Sequence, residues 1–317
     1  MRKPDAVEAA LSRLSALKKS GDPAAAIPEL RAALAARVNF VVARAARIAA
    51  ELQAAALVPA LAAAFDRLMA NPRKLDKGCA ALTEIAAALY ALDYLEPEPY
   101  LAGIRHRQLE PAFGEPVDAA RKLRAQCALA LVRTRHPDAL AEVVGLLVDP
   151  EPQARIGGAR ALGLLGSETA ELLLRLKILA GDEDIDVVAE CLLGVAALKT
   201  ERALSFVARF LDSADPAIGE AAALALGESR DARAVELLIR QYTSSPEPLR
   251  KTLLVALAIA RLDLAIDFLI SQLRSGSADA LSALAMYKDD ERVRGRVEPA
   301  VAASGDPALL KALREWA

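Results

Sequence analysis

The chain has 317 residues, of which 54% are hydrophobic and only 4% are aromatic. Alanine and leucine dominate and both favour helices, whereas the β-branched and aromatic residues typical of strands are sparse. With 40 Lys/Arg against 42 Asp/Glu, the chain lacks the overall basic charge of many nucleic-acid-binding domains. The composition therefore predicts an all-α protein without the domain-wide basic charge that favours nucleic-acid binding.

The charge is unevenly distributed along the chain. Residues 1–160 carry 22 Lys/Arg against 18 Asp/Glu, and residues 161–317 carry 18 against 24. Solvated charges on the outer surface are the simpler explanation, because blocks of charge usually form a solvated face. The alternative is a binding surface that changes from basic to acidic along the chain.

Residues 1–92 are predicted to form helices that diverge from the later repeats. The predicted segments are 4–19, 23–36, 40–54, 56–70 and 76–91. Asp5, Glu8 and Arg13 interrupt the apolar run that a signal peptide requires. No Ala/Leu run reaches the roughly 20 residues that span a bilayer. We therefore expect a soluble cytoplasmic protein without a membrane partner.

Residues 93–117 interrupt the helical pattern with four prolines and two glycines, and are predicted to form an irregular insertion. Long connections inside a repeat array are often functional. The insertion concentrates polar and aromatic side chains, and its candidate partner-binding residues are Tyr100, Arg105, His106, Arg107 and Gln108. Guanidinium groups here could bind a carboxylate or a phosphate. The alternative is an elaborated connection whose charges only solvate it.

Residues 118–275 repeat with a period of about 31 residues, each repeat containing two helices. One apolar column consists of Ala128, Ala159, Leu192, Ala223 and Leu254. A second column consists of Leu131, Leu162, Val195, Leu226 and Leu257. The next position holds Val132, Gly163, Ala196, Gly227 and Ala258. Because a spacing of three places the first two columns on one helix face, the repeats are predicted to stack, with small residues allowing close contact.

These repeats resemble the HEAT-repeat family, especially the short bacterial type also seen in phycobilisome-lyase-like proteins. HEAT units have an Asp before the second helix and an Arg six residues later. Both residues are present in the pairs Asp118 with Arg124 and Asp149 with Arg155. Ser244 with Arg250 keeps only the Arg, whereas Asp182 precedes Val188 and Asp212 precedes Ile218. The resemblance implies an α-α superhelix, or solenoid, over residues 1–317, in which these pairs form a ladder of charge-assisted hydrogen bonds.

Residues 276–317 contain shortened repeats that are predicted to cap the array, since terminal repeats are usually atypical.

No pattern of catalytic or metal-binding residues is visible. The two histidines, His106 and His136, have no second ligand at metal-binding spacing. The three cysteines lie far apart within apolar helices, where a buried thiol is expected. We therefore predict no catalytic residue, no metal and no cofactor.

The resemblance implies a non-enzymatic scaffold whose second helices line a concave partner-binding surface. The candidate residues on that surface are Arg121, Arg133, Arg160 and Glu190. A partner protein or extended peptide of complementary charge would suit them.

Two alternative functions share the fold. A DNA glycosylase-like protein needs a cationic groove with aromatic residues, and the single Trp argues against it. A phycobilin lyase-like chaperone needs a tetrapyrrole pocket that no residue cluster specifies.

Overall fold

The computed structural model describes residues 3–20 and 22–316. Within these ranges the chain is helical apart from turns and one short two-stranded hairpin, which confirms the all-α prediction. Gly21, part of a predicted helix break, lies outside the described residues. The chain divides into two compact units, Met1–Leu165 and Gly166–Ala317, each with its own core.

The first unit contains ten helices and the hairpin in its described residues. The helices are α1 (Lys3–Ser20), α2 (Pro23–Leu34), α3 (Asn39–Glu51), α4 (Val58–Met69), α5 (Pro72–Leu75), α6 (Ala80–Ala91), α7 (Glu98–Arg105), α8 (Arg121–Thr134), α9 (Ala139–Leu146) and α10 (Pro152–Leu165). Two 3-10 turns, Ala55–Leu57 and Lys77–Cys79, precede α4 and α6. The strands are β1 (Leu109–Glu110) and β2 (Val117–Asp118).

Helices of the first unit form consecutive pairs: α2 with α3, α4 with α6, α7 with α8, and α9 with α10. The second helices of these pairs, α3, α6, α8 and α10, pack against one another in that order. Small residues permit this contact, since a Cβ on Gly157 of α10 would overlap the Cα of Ala125 on α8. The result is the tandem-pair architecture of a solenoid.

The predicted irregular insertion is in fact ordered structure. Its residues 98–105 form α7, and its end pairs as the antiparallel hairpin β1–β2, with Leu109 opposite Asp118. Helix α7 packs closely on α8, because a Cβ on Gly103 would overlap the Sγ of Cys127. The prolines misled the prediction: Pro97 and Pro99 lie at the start of α7, where a missing N–H is tolerated. The segment therefore supplies the first helix of a repeat.

The second unit contains ten helices in its described residues. They are α11 (Glu168–Ala180), α12 (Ile185–Ala196), α13 (Glu201–Ala208), α14 (Pro216–Glu228), α15 (Ala232–Ser244), α16 (Glu247–Ala260), α17 (Asp263–Arg274), α18 (Ala278–Leu284), α19 (Glu291–Ser304) and α20 (Pro307–Arg314). The 3-10 turns Arg209–Asp212 and Ala285–Tyr287 follow α13 and α18.

Helices of the second unit also form consecutive pairs, from α11 with α12 to α19 with α20. The second helices α12, α14 and α16 pack in series. Gly227 of α14 belongs to the predicted small-residue column, and a Cβ there would overlap the carbonyl oxygen of Ala256 on α16. A short side chain at this position is therefore what lets the two helices approach.

Candidate functional site

A buried arginine joins two consecutive turns of the first unit. The Arg124 side chain is 0% exposed and lies between Asp118, before its own helix, and Asp149, before α10. Its Nη1 donates to Asp118 Oδ2 at 2.7 Å, while Nε and Nη2 donate to the two oxygens of Asp149 at 3.0 Å. Nη1 also donates to the carbonyl of His106 at 3.0 Å. Such a bidentate contact fixes the spacing of the two turns.

The contact is part of a longer row of buried and half-buried polar groups at the starts of the second helices. Asp76 accepts hydrogen bonds from the N–H groups of Ala81 and Leu82 and from Nδ2 of Asn39. Gln108 donates from Nε2 to the carbonyl of Asp76 at 2.9 Å. We call this row the polar ladder, and its members are Asn39, Asp76, Gln108, Asp118, Arg124, Asp149 and Arg155.

The ladder lowers the pKa of both of its later aspartates. Burial alone would raise the pKa of Asp118, but hydrogen bonds from the N–H groups of Gln108 and Ala120 and from Arg124 outweigh it. Burial likewise opposes the shift at Asp149, where hydrogen bonds from Arg124 and Arg107 help to lower the pKa. Both groups are therefore held as carboxylates by the native fold.

The other predicted ladder residues differ in environment. Arg155 is buried and donates from Nη1 to the carbonyls of Asp149 and Pro150. Arg250, in contrast, is exposed and its guanidinium lies 5.8 Å from the ring centre of Tyr242. Arg250 forms no ion pair with any described residue, so its predicted place in the ladder is wrong. It has no aspartate in its turn, where Ser244 stands instead.

In the second unit Asp182 has a different cationic partner. Its Oδ2 lies 2.7 Å from Nζ of Lys177, which is in the last turn of α11, and both side chains are largely buried. Lys177 is therefore a cationic partner of Asp182 in a repeat that has Val188 in place of the arginine. Sequence spacing alone could not find this partner, because Lys177 comes before the aspartate rather than after it.

Two predicted partner-binding residues are internal to the fold. Tyr100 is fully buried, and its hydroxyl donates to the carbonyl of Tyr94 at 2.9 Å. Gln108 is fully buried in the polar ladder and also hydrogen-bonds His106 Nε2 at 3.0 Å. Because neither Tyr100 nor Gln108 has accessible surface, neither can contact a partner directly. Their polar atoms satisfy groups of this chain instead.

Arg105 and Arg107, the two arginines of residues 93–117, both form ion pairs. Arg105 is exposed and pairs with Glu142 of α9, which lowers the pKa of that carboxyl chiefly through their hydrogen bond. Arg107 is half-exposed and pairs with the buried Asp149, and lies 3.9 Å from Asp118. Both charges are thus compensated within the unit, and Arg107 also covers the polar ladder.

The candidate residues predicted for the concave surface of the second helices lie in different environments. Arg121 donates to the carbonyl of Asp118 at 2.8 Å and lies 3.9 Å from Glu151. Arg133 lies 4.6 Å from the ring centre of Tyr90 and pairs with Asp93, so it fastens α8 to the end of α6. Glu190 is half-buried on α12 in the second unit.

Arg160 borders a groove on the surface formed by α3, α6, α8 and α10. Three neighbouring cavities, of about 480, 390 and 300 Å³, all include Lys122 in their lining. We call their union the basic groove, and its polar lining includes Arg44, Arg47, Thr83, Glu84, Glu110, Arg121, Lys122, Gln126, Gln153 and Arg160.

The basic groove combines an excess of cations with amide and apolar groups. Arg47 donates from Nε to Glu84 at 3.1 Å and is neutralised by it. Lys122 is exposed and forms no ion pair with any described residue. Gln126 and Gln153 can each donate to and accept from a peptide backbone. Exposed Phe40 adds an apolar contact at one end. The candidate residues predicted from the sequence include Arg121 and Arg160 but not Lys122, because nothing in the sequence pattern distinguishes Lys122 from a solvated lysine.

The described residues contain no cluster of His, Cys, Asp or Glu arranged to hold a metal ion. Cys79, Cys127 and Cys191 are free and buried, and burial raises the pKa of each thiol. A raised thiol pKa disfavours the nucleophilic thiolate. Among the helices the structure describes, each is too short or too polar to cross a membrane.

Three solved structures resemble this chain at low identity. The CpcE–CpcF complex of phycocyanin lyase from Nostoc sp. has a TM-score of 0.42 at 18% identity, over 76% of this chain and 94% of the compared chain. Human deoxyhypusine hydroxylase has a TM-score of 0.31 at 18% identity, over 81% and 99%. An engineered protein has a TM-score of 0.45 at 20% identity, over 98% and 87%. Scores this low carry no inference about function.

One family model matches part of the second unit. No curated protein matches the chain significantly. The family model for HEAT repeats matches residues 172–258, which span most of α11 to most of α16. This range lies inside the region 118–275 where the resemblance was predicted from the repeat columns. The predicted resemblance to HEAT repeats is therefore confirmed over residues 172–258.

Proposed function

We propose that this protein is a non-enzymatic scaffold that binds another protein through the basic groove of its first unit. The observation that carries the proposal is the run of three adjoining cavities that share Lys122 on α8. A continuous groove across four stacked helices suits an extended segment better than a compact small molecule. Ligand pockets are usually enclosed and carry few charged groups, whereas this groove is open and several charged side chains line it.

The charges of the groove favour an acidic segment. Lys122 is uncompensated, whereas Glu84 neutralises Arg47 and Glu151 lies near Arg121. An acidic side chain would gain a partner at Lys122, and its backbone could hydrogen-bond with Gln126 and Gln153. This mixed surface differs from the continuous cationic track that nucleic acid requires. Phe40 is the only exposed aromatic residue that lines it among those described.

Capture from the native cell with a charge-reversed groove tests the proposal. The double variant Lys122→Glu, Arg160→Glu should lose the captured protein partner by about tenfold or more, since each reversal turns attraction into repulsion. Lys251→Glu is the matched control, because Lys251 is also exposed on a second helix but lies on α16 in the other unit. It should retain the partner.

Two outcomes would contradict the proposal. The first is equal capture by the double variant and the control. The second is loss of the partner from wild-type protein after nuclease treatment, which would indicate nucleic acid in the groove. Far-UV circular dichroism of each variant verifies that the helices remain formed.

A further inference from the structure

Another cavity lies within the second unit, between the turns that precede α14 and α16. Its volume is about 330 Å³. We call it the serine pocket, and its polar lining includes Asp212, Ser213, Gly219, Glu220, Ser244 and Ser245. It is separate from the basic groove in sequence, because the two share no residue.

The repeat columns show which residue is replaced at this pocket. Counting four residues back from the column Ala128, Ala159, Leu192, Ala223 and Leu254 gives Arg124, Arg155, Val188, Gly219 and Arg250. The glycine at 219, not Ile218, therefore stands at the arginine position of its repeat. The six-residue spacing from Asp212 missed this, because the aspartate position itself falls on Ser213.

The corresponding space in the first unit is filled by a guanidinium. Arg124 lies there fully buried between the aspartates of consecutive turns, and it also donates to a backbone carbonyl. In the serine pocket the equivalent residue has no side chain, and serines replace both aspartates. The repeat therefore lacks an arginine side chain at position 219, while the hydroxyl oxygens of Ser213 and Ser244 can still accept hydrogen bonds.

Ser245 shows that the pocket's hydrogen bonding is incomplete. It lines the pocket at 3% exposure, and its Oγ has no hydrogen-bond partner among the described residues. A buried hydroxyl without a partner costs free energy, so a donor brought to it stabilises the complex. Asp212 already accepts from Gln241 Nε2 at 2.6 Å through Oδ1, which leaves Oδ2 for another donor.

The lining also matches an arginine in charge and shape. Asp212 and Glu220 are acidic, and no Lys or Arg lines the pocket. Leu211, Leu249 and three prolines provide apolar surface for the methylene stem of a long side chain. A planar guanidinium can donate to several oxygens at once, which an ammonium cannot do in the same geometry.

We propose that the serine pocket binds an arginine side chain of a partner protein, which takes the place that Arg124 occupies in the first unit. In the second unit the partner thereby supplies the arginine that the repeat itself lacks at position 219. This inference does not depend on the basic groove: it concerns another unit and a partner group of opposite charge.

Binding of a blocked peptide to the full-length protein tests the inference. The probe is N-acetyl-Gly-Arg-Gly-amide, and the control replaces arginine by citrulline, which is neutral but nearly isosteric. Amide chemical shifts of Ser213, Gly219, Ser244 and Ser245 should change with the arginine peptide. The citrulline peptide should bind at least about tenfold more weakly, as expected for loss of a charge-assisted hydrogen bond.

A variant that fills the serine pocket with a side chain of this protein tests the inference most directly. Gly219→Arg supplies the missing side chain, and Gly219→Ala is its matched control, since each adds a Cβ 3.3 Å from the carbonyl oxygen of Leu211. We expect Gly219→Arg to abolish peptide binding and to melt at a higher temperature than Gly219→Ala. Ser245→Ala and Asp212→Asn, which leave the backbone unchanged, should each weaken binding severalfold.

Three results would overturn the inference. They are equal binding of the arginine and citrulline peptides, undiminished binding to Gly219→Arg, and undiminished binding to both Ser245→Ala and Asp212→Asn. Binding of free L-arginine is measured as well, to distinguish a small-molecule ligand from a protein side chain. If it binds about tenfold more tightly than the blocked peptide, the pocket serves a small molecule rather than a protein side chain.

Discussion

Arg124 and Arg250 occupy the same column of the repeat but differ completely in environment. Arg124 is buried between two carboxylates, whereas Arg250 is exposed over Tyr242. A guanidinium can be buried only where acceptors compensate the loss of hydration. The aspartates at 118 and 149 supply them, and Ser244 does not. The residue type therefore predicts little until its neighbours are known.

Replacing the buried arginine should strongly destabilise the first unit. Arg124→Met keeps much of the side-chain volume but leaves Asp118 and Asp149 buried without their main cationic partner. Removing one member of a buried ion pair typically costs about 3–5 kcal/mol of unfolding free energy. Urea titration followed by far-UV circular dichroism measures the change.

Arg250→Met is the control for that substitution, since it makes the same chemical change at the same repeat position on the surface. Its only described side-chain contact is with Tyr242, so we expect a cost below about 1 kcal/mol. Equal losses for Arg124→Met and Arg250→Met would show that the polar ladder does not stabilise the fold.

The ladder should also make the first unit sensitive to acid. The pKa values of Asp118 and Asp149 are lower in the native state than in the unfolded chain, where they are near 3.9. Their contribution to stability is therefore present above about pH 4 and is lost as the pH falls through the native pKa values. Urea midpoints measured from pH 7 to pH 3 should fall steeply below pH 4.

The variant Asp149→Asn tests the origin of this dependence. It should be less stable than wild type at pH 7, and its stability should change less between pH 5 and pH 3 because one depressed pKa has been removed. An unchanged pH profile would assign the acid sensitivity to carboxylates outside the ladder.

At the residue scale, sequence reasoning identified chemistry better than location. It singled out Arg124, Asp118 and Asp149 through the family pattern, and these residues do meet. It placed Tyr100 and Gln108 on a binding surface, although both are buried. Polar residues in a proline-rich segment resemble a recognition loop in sequence. Only the three-dimensional partners, such as Asp76 for Gln108, show that they satisfy the interior.

At the scale of helices, the helical sequence pattern predicts most elements well and one segment badly. The five helices expected in residues 4–92 correspond to α1, α2, α3, α4 and α6. The segment 93–117 was expected to be irregular, but α7 lies in it. Helix α7 has only eight residues and begins with prolines, so it offers too few turns for an apolar column to be recognised.

Close helix contact makes Gly227 a sensitive position. In Gly227→Ala the added Cβ would overlap the backbone carbonyl of Ala256, so α14 and α16 must move apart. Overpacking of this kind costs roughly 1–3 kcal/mol. Gly295→Ala is the control: Gly295 lies within α19, and an added Cβ meets nothing within 4 Å.

The control should be neutral or stabilised by roughly 0.5–1 kcal/mol, because alanine favours the helix over glycine. Melting temperatures of the two variants therefore shift in different directions or by clearly different amounts. A Gly227→Ala variant as stable as Gly295→Ala would mean that the two helices do not rely on their close approach.

At the scale of the whole molecule, the two units carry opposite charge and different binding features. Residues 1–160 have a net charge of +4 and contain the basic groove, while residues 161–317 have a net charge of −6 and contain the serine pocket. The charge division is visible in the sequence. The groove and the pocket are not, because each depends on which side chains are missing or compensated at neighbouring turns. A partner that uses both would need an acidic segment and an accessible arginine.

The three cysteines allow the stability of each unit to be measured in the intact chain. Cys79 and Cys127 are fully buried in the first unit, and Cys191 is fully buried in the second. Burial raises the pKa of Cys79 and of Cys191 to about 12, so the native thiols should react with N-ethylmaleimide at pH 8 only after local opening. Peptide mapping by mass spectrometry after timed labelling reports each site separately. Because each unit has its own core, Arg124→Met should speed labelling of Cys79 and Cys127 at least about tenfold more than that of Cys191. Equal acceleration at all three cysteines would show instead that the two units open as one cooperative body.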